Sequence, residues 1–118
     1  MVKSTITIEG KIFDEFPKFT QNDLGKKTTF TITNFDDSVV DLTGGSVKFK
    51  TRIVGGTTIK IDGTCTLDTP TSGICSYTTV AGDLDTIGAF EAELEFIDAS
   101  ANVCTVKLGK LFIIAELG

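Results

Sequence analysis

The sequence has no histidine and no tryptophan, and its 118 residues include only two prolines, one tyrosine and three cysteines. Without histidine, Ser-His-Asp and Cys-His nucleophilic chemistry is excluded, and so is any histidine-ligated zinc. A lone tyrosine, Tyr77, placed inside a strand-like segment, leaves no aromatic platform for a sugar ring, which argues against a carbohydrate-binding module. Basic residues are the minority. Eleven Lys and Arg face 16 Asp and Glu, a net charge of −5, a poor basis for binding a phosphate backbone. No apolar run reaches the ~18 residues that a membrane-crossing helix needs, and Met1 to Thr7 lacks the apolar core of a signal peptide. Cys65, Cys75 and Cys104 form an odd set at spacings that fit no metal or redox motif. They are expected to be buried thiols in a chain matured under reducing conditions, with a Cys65–Cys75 bridge across a hairpin as the alternative.

β-Branched residues are abundant. Nineteen Thr, 12 Ile and 8 Val stand against 14 Ala and Leu together, a balance that favours strands. Alternation marks strands at 4–9, 28–33, 46–52 (Val47, Phe49 and Thr51 inward), 57–61, 65–68, 74–79, 88–97 (Phe90, Ala92, Leu94 and Phe96 inward) and 103–115. Gly55-Gly56 signals a two-residue hairpin, and Gly109 a bulge in the last strand. Residues 10–27 are the least regular, readable as a helical turn or an extended arm around Pro17. Short strands with turns every few residues predict an all-β fold, an immunoglobulin-like antiparallel β-sandwich of seven to nine strands without a disulfide. A length of 118 residues suits a single domain over 1–118, with 1–20 as first strand plus possible docking arm.

The stretch Asp85-Thr86-Ile87-Gly88-Ala89-Phe90-Glu91-Ala92 resembles the corner that opens strand F of immunoglobulin domains. Phe90 stands where that corner has tyrosine, and Ala92 where it has cysteine, so stabilisation must come from apolar packing. Charge is unevenly distributed. Residues 1–60 carry nine Lys/Arg and seven Asp/Glu, whereas residues 61–118 carry two Lys and nine Asp/Glu. Much of that asymmetry sits in two stripes, Lys48, Lys50 and Arg52 against Glu91, Glu93 and Glu95. If their strands are antiparallel neighbours, the stripes form cross-strand pairs. A basic stripe interleaved with Phe49 could alternatively receive an acidic partner.

Asp83 and Asp85 share a glycine-containing loop, as two calcium ligands would, but no glutamate follows at the required position, and turn formation is the simpler role. Asp36 and Asp37 read the same way. Gly44-Gly45 and Gly55-Gly56 lack the following Lys-Ser/Thr of a phosphate loop. No catalytic constellation or cofactor site emerges, so the chain is expected not to be an enzyme. Ile12, Phe13, Phe16 and Phe19 are the candidate interface, four apolar side chains that could dock on another subunit or cap the chain's own core.

Asn22-Asp23-Leu24-Gly25 before 28–33, then Val40-Asp41-Leu42-Thr43-Gly44-Gly45-Ser46-Val47-Lys48-Phe49-Lys50, Thr71-Ser72-Gly73-Ile74-Cys75-Ser76-Tyr77 and Ala81-Gly82-Asp83-Leu84-Asp85-Thr86-Ile87-Gly88-Ala89-Phe90-Glu91-Ala92-Glu93-Leu94 form a recognisable series. Over roughly residues 20–115 it resembles the phage baseplate upper protein N-terminal domain family and related small tailed-phage virion proteins. The Phe-containing arm is not part of that pattern. The resemblance implies a non-enzymatic building block of a tailed bacteriophage virion, an assembly or decoration module of the tail or baseplate. It would be assembled in the host cytoplasm and docked in multiple copies to other virion proteins. A capsid decoration or head-fibre anchor is the alternative location. No stalk or receptor-binding head follows in this sequence, so attachment to a virion protein is expected rather than host recognition.

Overall fold

The computed structural model describes residues 2–8, 11–13, 18–34, 36 and 38–115, the first two segments by backbone alone. Their strands are β1 (Val2–Ile8), β2 (Lys11–Phe13), β3 (Phe19–Thr20), β4 (Lys27–Asn34), β5 (Ser46–Ile53), β6 (Ile59–Thr64), β7 (Thr66–Thr69), β8 (Ile74–Thr78), β9 (Gly88–Ile97) and β10 (Val103–Ile114). They form two five-stranded sheets, the first in the order β2-β1-β4-β8-β7 and the second in the order β3-β10-β9-β5-β6. Eight of the ten described strands have four residues or more; β2 and β3 are short additions from the segment whose sequence pattern is irregular. A helical turn is not what the described part of that segment forms. β2 pairs antiparallel with β1, while β3 pairs parallel with β10, the one departure among the described pairings from the expected antiparallel arrangement.

Period-two patterning dictates which face each strand buries. On β9, Phe90, Ala92, Leu94 and Phe96 are buried while Glu91, Glu93 and Glu95 point outward. On β4, Phe30 and Ile32 enter the core, and on β5 Val47 and Phe49 meet them from the opposite sheet. The Phe49 ring links the layers. It stacks on Phe30 at 5.7 Å and tilts against Tyr77 of β8 at 5.1 Å. Such aromatic pairs add about 0.5–1.5 kcal/mol each beyond the area they bury. Thr51 is also buried on this side, and its Oγ1 has no hydrogen-bond partner among the described residues.

One side of the sandwich is closed by a continuous run. β6 ends in the second sheet, the Cys65 amide donates to the Val47 carbonyl at 2.8 Å, and β7 begins in the first sheet at the next residue. Cys65 and Cys75 lie buried in the common core and Cys104 is half-buried; all three are free thiols, so the alternative bridge is not formed. The neighbouring Cys75 thiol and burial both push the Cys65 thiol well above its ordinary value, so it stays protonated. Phe90 is buried at the start of β9, as the corner reading requires.

Turns follow local chemistry. Asp98 accepts from the amides of Ser100 and Asn102, both at 2.9 Å, which lets Ala101 hold a positive φ and keeps the Asp98 carboxyl below its usual range. The β5–β6 connection is longer than the two-residue hairpin that Gly55-Gly56 suggests. Gly56 donates back to the Ile53 carbonyl, and pairing resumes at Ile59 rather than Thr57. Gly109, at φ +87°, marks a register shift between β9 and β10. The expected bulge in the last strand is therefore present.

Candidate functional site

β5 and β9 are central neighbours in the second sheet. Their register sets Lys48 opposite Glu95, Lys50 opposite Glu93 and Arg52 opposite Glu91. The ion pairs do not all follow that register. Arg52 Nε reaches Glu91 directly at 2.9 Å. Lys50 Nζ leans along the strand to Glu95 at 3.2 Å, leaving Glu93 to Lys107 of β10 at 2.7 Å. Lys48 turns away to Asp62 of β6 at 3.8 Å. The outer face is thus one mesh of charge across four strands. Lys107 and Asp62 belong to no single-sign stripe, because Asp62 alternates with Lys60 of opposite sign in β6 and Lys107 is three residues from Lys110 in β10. The signal was available in the outward positions of β6 and β10, where Ile61, Val106 and Leu108 mark the inward ones.

The loop carboxylates are used internally. Asp83 Oδ2 accepts from the Tyr77 hydroxyl at 2.6 Å and from the Val80 amide at 3.0 Å. Burial and the Asp83 carboxylate push the Tyr77 phenol well above its ordinary value. Asp85 pairs with Lys60 and accepts from Thr86 Oγ1 at 2.9 Å; the Lys60 ammonium holds its carboxyl low. Two neighbouring acids therefore serve two different anchors. Asp36 closes its own turn by accepting from the Ser38 amide at 3.0 Å. Among the described residues no group of three or more Cys, Asp or Glu is placed to hold a metal ion.

The four candidate interface residues separate. Phe19 is 7% exposed and belongs to the core, so it is no surface anchor. Ile12 and Phe13 fall in β2, opposite Thr7 and Ile6 of β1, at an edge of the first sheet. Phe16 lies outside the described residues. Parity along the strand could not show that the chain crosses from the first sheet to the second between β2 and β3, which is what takes Phe19 inward.

The family model described as the BppU N-terminal domain matches residues 2–114. No curated protein matches the sequence. Among solved structures, the chain is similar to CopC from Methylosinus trichosporium OB3b, with a TM-score of 0.51 and 7% identity over 87% of this chain and 89% of that one. The PmoD soluble domain from Methylocystis sp. ATCC 49242 (Rockwell) gives a TM-score of 0.47 and 8% identity over 97% and 91%. At 7% identity the likeness to CopC is one of fold alone.

Proposed function

Because this chain belongs to the BppU N-terminal domain family, the N-terminal domain of phage baseplate upper proteins, we propose that it is a tail or baseplate building block that docks to its neighbours through sheet edges and outer faces. It is a structural, non-enzymatic virion protein that works by contact with other virion proteins. The family match over nearly the whole chain carries this reading. The fold suits it. Two sheets share a filled core, and the surfaces left for work are outer faces and rims with unpaired backbone groups. The β2 edge, with Ile12 and Phe13 and the following Phe16, is the proposed arm. Assembly takes place in the host cytoplasm, in multiple copies and without nucleic acid as partner.

Fractionated phage particles test this. The chain should be found with tails or baseplates at a fixed copy number above one per particle. Recovery with isolated capsids would move it to the head, and recovery only as free protein would remove the building-block reading. Changing Ile12, Phe13 and Phe16 to Ser should lower incorporation while leaving the thermal midpoint of the isolated chain nearly unchanged. A collapse of that midpoint would assign the three to the chain's own core.

A further inference from the structure

A groove of about 590 Å³ crosses the outer face of the second sheet. Its cause lies in the backbone. Ile61, Thr51, Ala92 and Gly109 are successive partners in one row across β6, β5, β9 and β10. Register shifts flank this row on both sides, between Thr51 and Arg52 in the β5–β6 pairing and at Lys107/Gly109 in the β9–β10 pairing. Bulges bend strands and sharpen their twist, and two aligned ones hollow the sheet along the row. Gly109 holds φ +87° with nothing within 4 Å of where a Cβ would stand, so its backbone conformation, not crowding, calls for glycine.

The groove has its own charge. Lys50, Arg52, Lys107 and Lys110 line it against Glu91 and Glu93, four cations to two carboxylates, net +2. The whole chain carries −5, so everything outside the groove sums to −7. Both lining carboxylates are engaged, Glu91 by Arg52 and Glu93 by Lys107. Lys110 stands opposite Glu91 in the register, yet no ion pair with a described residue reaches it. The Lys107 side chain is 76% exposed, so its ammonium can still be shared.

We propose that this groove seats a short acidic segment of a partner protein, its carboxylates placed on Lys110 and Lys107. The inference deepens the docking reading and rests on it for the partner being a protein. Shortness matters. Charges are screened over about 8 Å at physiological salt, so a few carboxylates within the groove sense mainly its cations. A long polyanion such as nucleic acid would run on over a surface that repels it. The embedded Glu91 and Glu93 add discrimination, because a ligand must place its acids at the cations and nothing negative between them.

Hexaglutamate titrated into the isotope-labelled full chain tests the groove directly. Amide shifts should centre on Lys107–Leu111 and Lys50–Arg52. Affinity should fall as salt rises, and by roughly tenfold or more in a Lys107→Glu/Lys110→Glu variant. Lys26→Glu, outside the groove, should bind as the unaltered chain does, and all variants should still unfold in one cooperative transition, the groove variant at a slightly lower midpoint because its new glutamates face Glu93 and Glu91. Shifts spread over the surface, equal loss in Lys26→Glu, or tighter binding of a short oligodeoxythymidylate at the same amides would each overturn the proposal. The particle separates the two layers of the claim. A Lys107→Glu/Lys110→Glu chain incorporated at normal copy number refutes the groove and leaves docking intact, whereas an unaltered chain absent from particles refutes docking itself.

Discussion

Two rows of side chains cross the outer faces of this sandwich at right angles to the strands. In the first sheet the row runs Thr29, Ser76 and Thr66 across β4, β8 and β7, with Ser76 buried at its middle. In the second it runs Asp62, Lys50, Glu93 and Lys107 across β6, β5, β9 and β10. Both obey the same alternation, and both sit behind the same apolar core. Their chemistry differs completely, hydroxyls in one and charges of alternating sign in the other. A hydroxyl row satisfies strand propensity and is indifferent to salt. A charge row adds only a little stability but gives the surface a sign that a partner can read. On this contrast the outer face of the second sheet, rather than that of the first, is the one suited to recognition by charge.

The contrast holds only if the two sheets form one cooperative body, and the largest expected effect tests that. Phe49 projects from the second sheet onto Phe30 and Tyr77 of the first. Phe49→Ala should cost about 3–5 kcal/mol, read by denaturant unfolding. Amides of both sheets should lose protection from hydrogen exchange together. Loss confined to the second sheet would mean that the layers are separate units.

Glycines at positive φ give the next comparison. Gly73, at φ +73°, precedes β8 of the first sheet, and a Cβ there would come within 2.5 Å of the Ile32 carbonyl oxygen and 2.9 Å of that of Val40. Gly109 in the second sheet has open space around the same position. Gly109→Ala should therefore cost only the ~1–2 kcal/mol of a left-handed residue. Gly73→Ala should cost clearly more, because two backbone carbonyls must also move. Equal costs in equilibrium unfolding would show that the first sheet yields there.

Besides the Lys27–Asp68 ion pair between β4 and β7, the first sheet holds one titratable ring, that of Tyr77, whose hydroxyl donates to Asp83. Its folded-state value lies above the ordinary 10.0, chiefly through burial. The unfolded chain then ionises first. Tyr77's contribution is fully present below pH 10.0 and is lost as pH climbs from there toward the raised folded value. With one tyrosine and no tryptophan, phenolate absorbance reports this residue alone. The absorbance should rise only well above pH 10.0 in the native chain. Tyr77→Phe should flatten the part of the alkaline loss of stability that the unaltered chain shows in that window. A native titration at the ordinary value would mean that the ring is solvated.

Much of this was legible in the sequence, and the reason is period two. Phe90, Ala92, Leu94 and Phe96 alternate with three glutamates, so the inward face, the strand and the all-β class could all be read from residues 88–97. The facing of Lys48, Lys50 and Arg52 to the same glutamates was legible only as an expectation, since it needs β5 and β9 to be neighbours. What was not legible depends on pairing partners far away in sequence. The diagonal reach of Lys50 to Glu95, the capture of Glu93 by Lys107 and the inward turn of Phe19 beside β10 are of this kind. So is the Thr51 hydroxyl, which alternation places inside without saying that it finds no acceptor among the described residues. The groove required both bulges to align on one row, and only Gly109 announced one of them.

The smallest expected effect bears most directly on the contrast between the rows. Arg52 and Glu91 are opposite in register and in contact at 2.9 Å, each a little under half exposed. A double-mutant cycle with Arg52→Ala and Glu91→Ala should give a coupling of about 0.2–1 kcal/mol that shrinks as salt is added. The matching cycle on Thr29→Ala and Ser76→Ala, also opposite in register, should give a coupling within a similar range that salt leaves unchanged. The two couplings cannot be told apart by size, because cross-strand hydroxyl and charge pairs overlap in strength. Salt separates them, since only one depends on a field that mobile ions can screen. A charge coupling that ignores salt would mean that Arg52 and Glu91 hold each other by packing and hydrogen-bond geometry alone, and the second sheet would then have lost its distinction from the first.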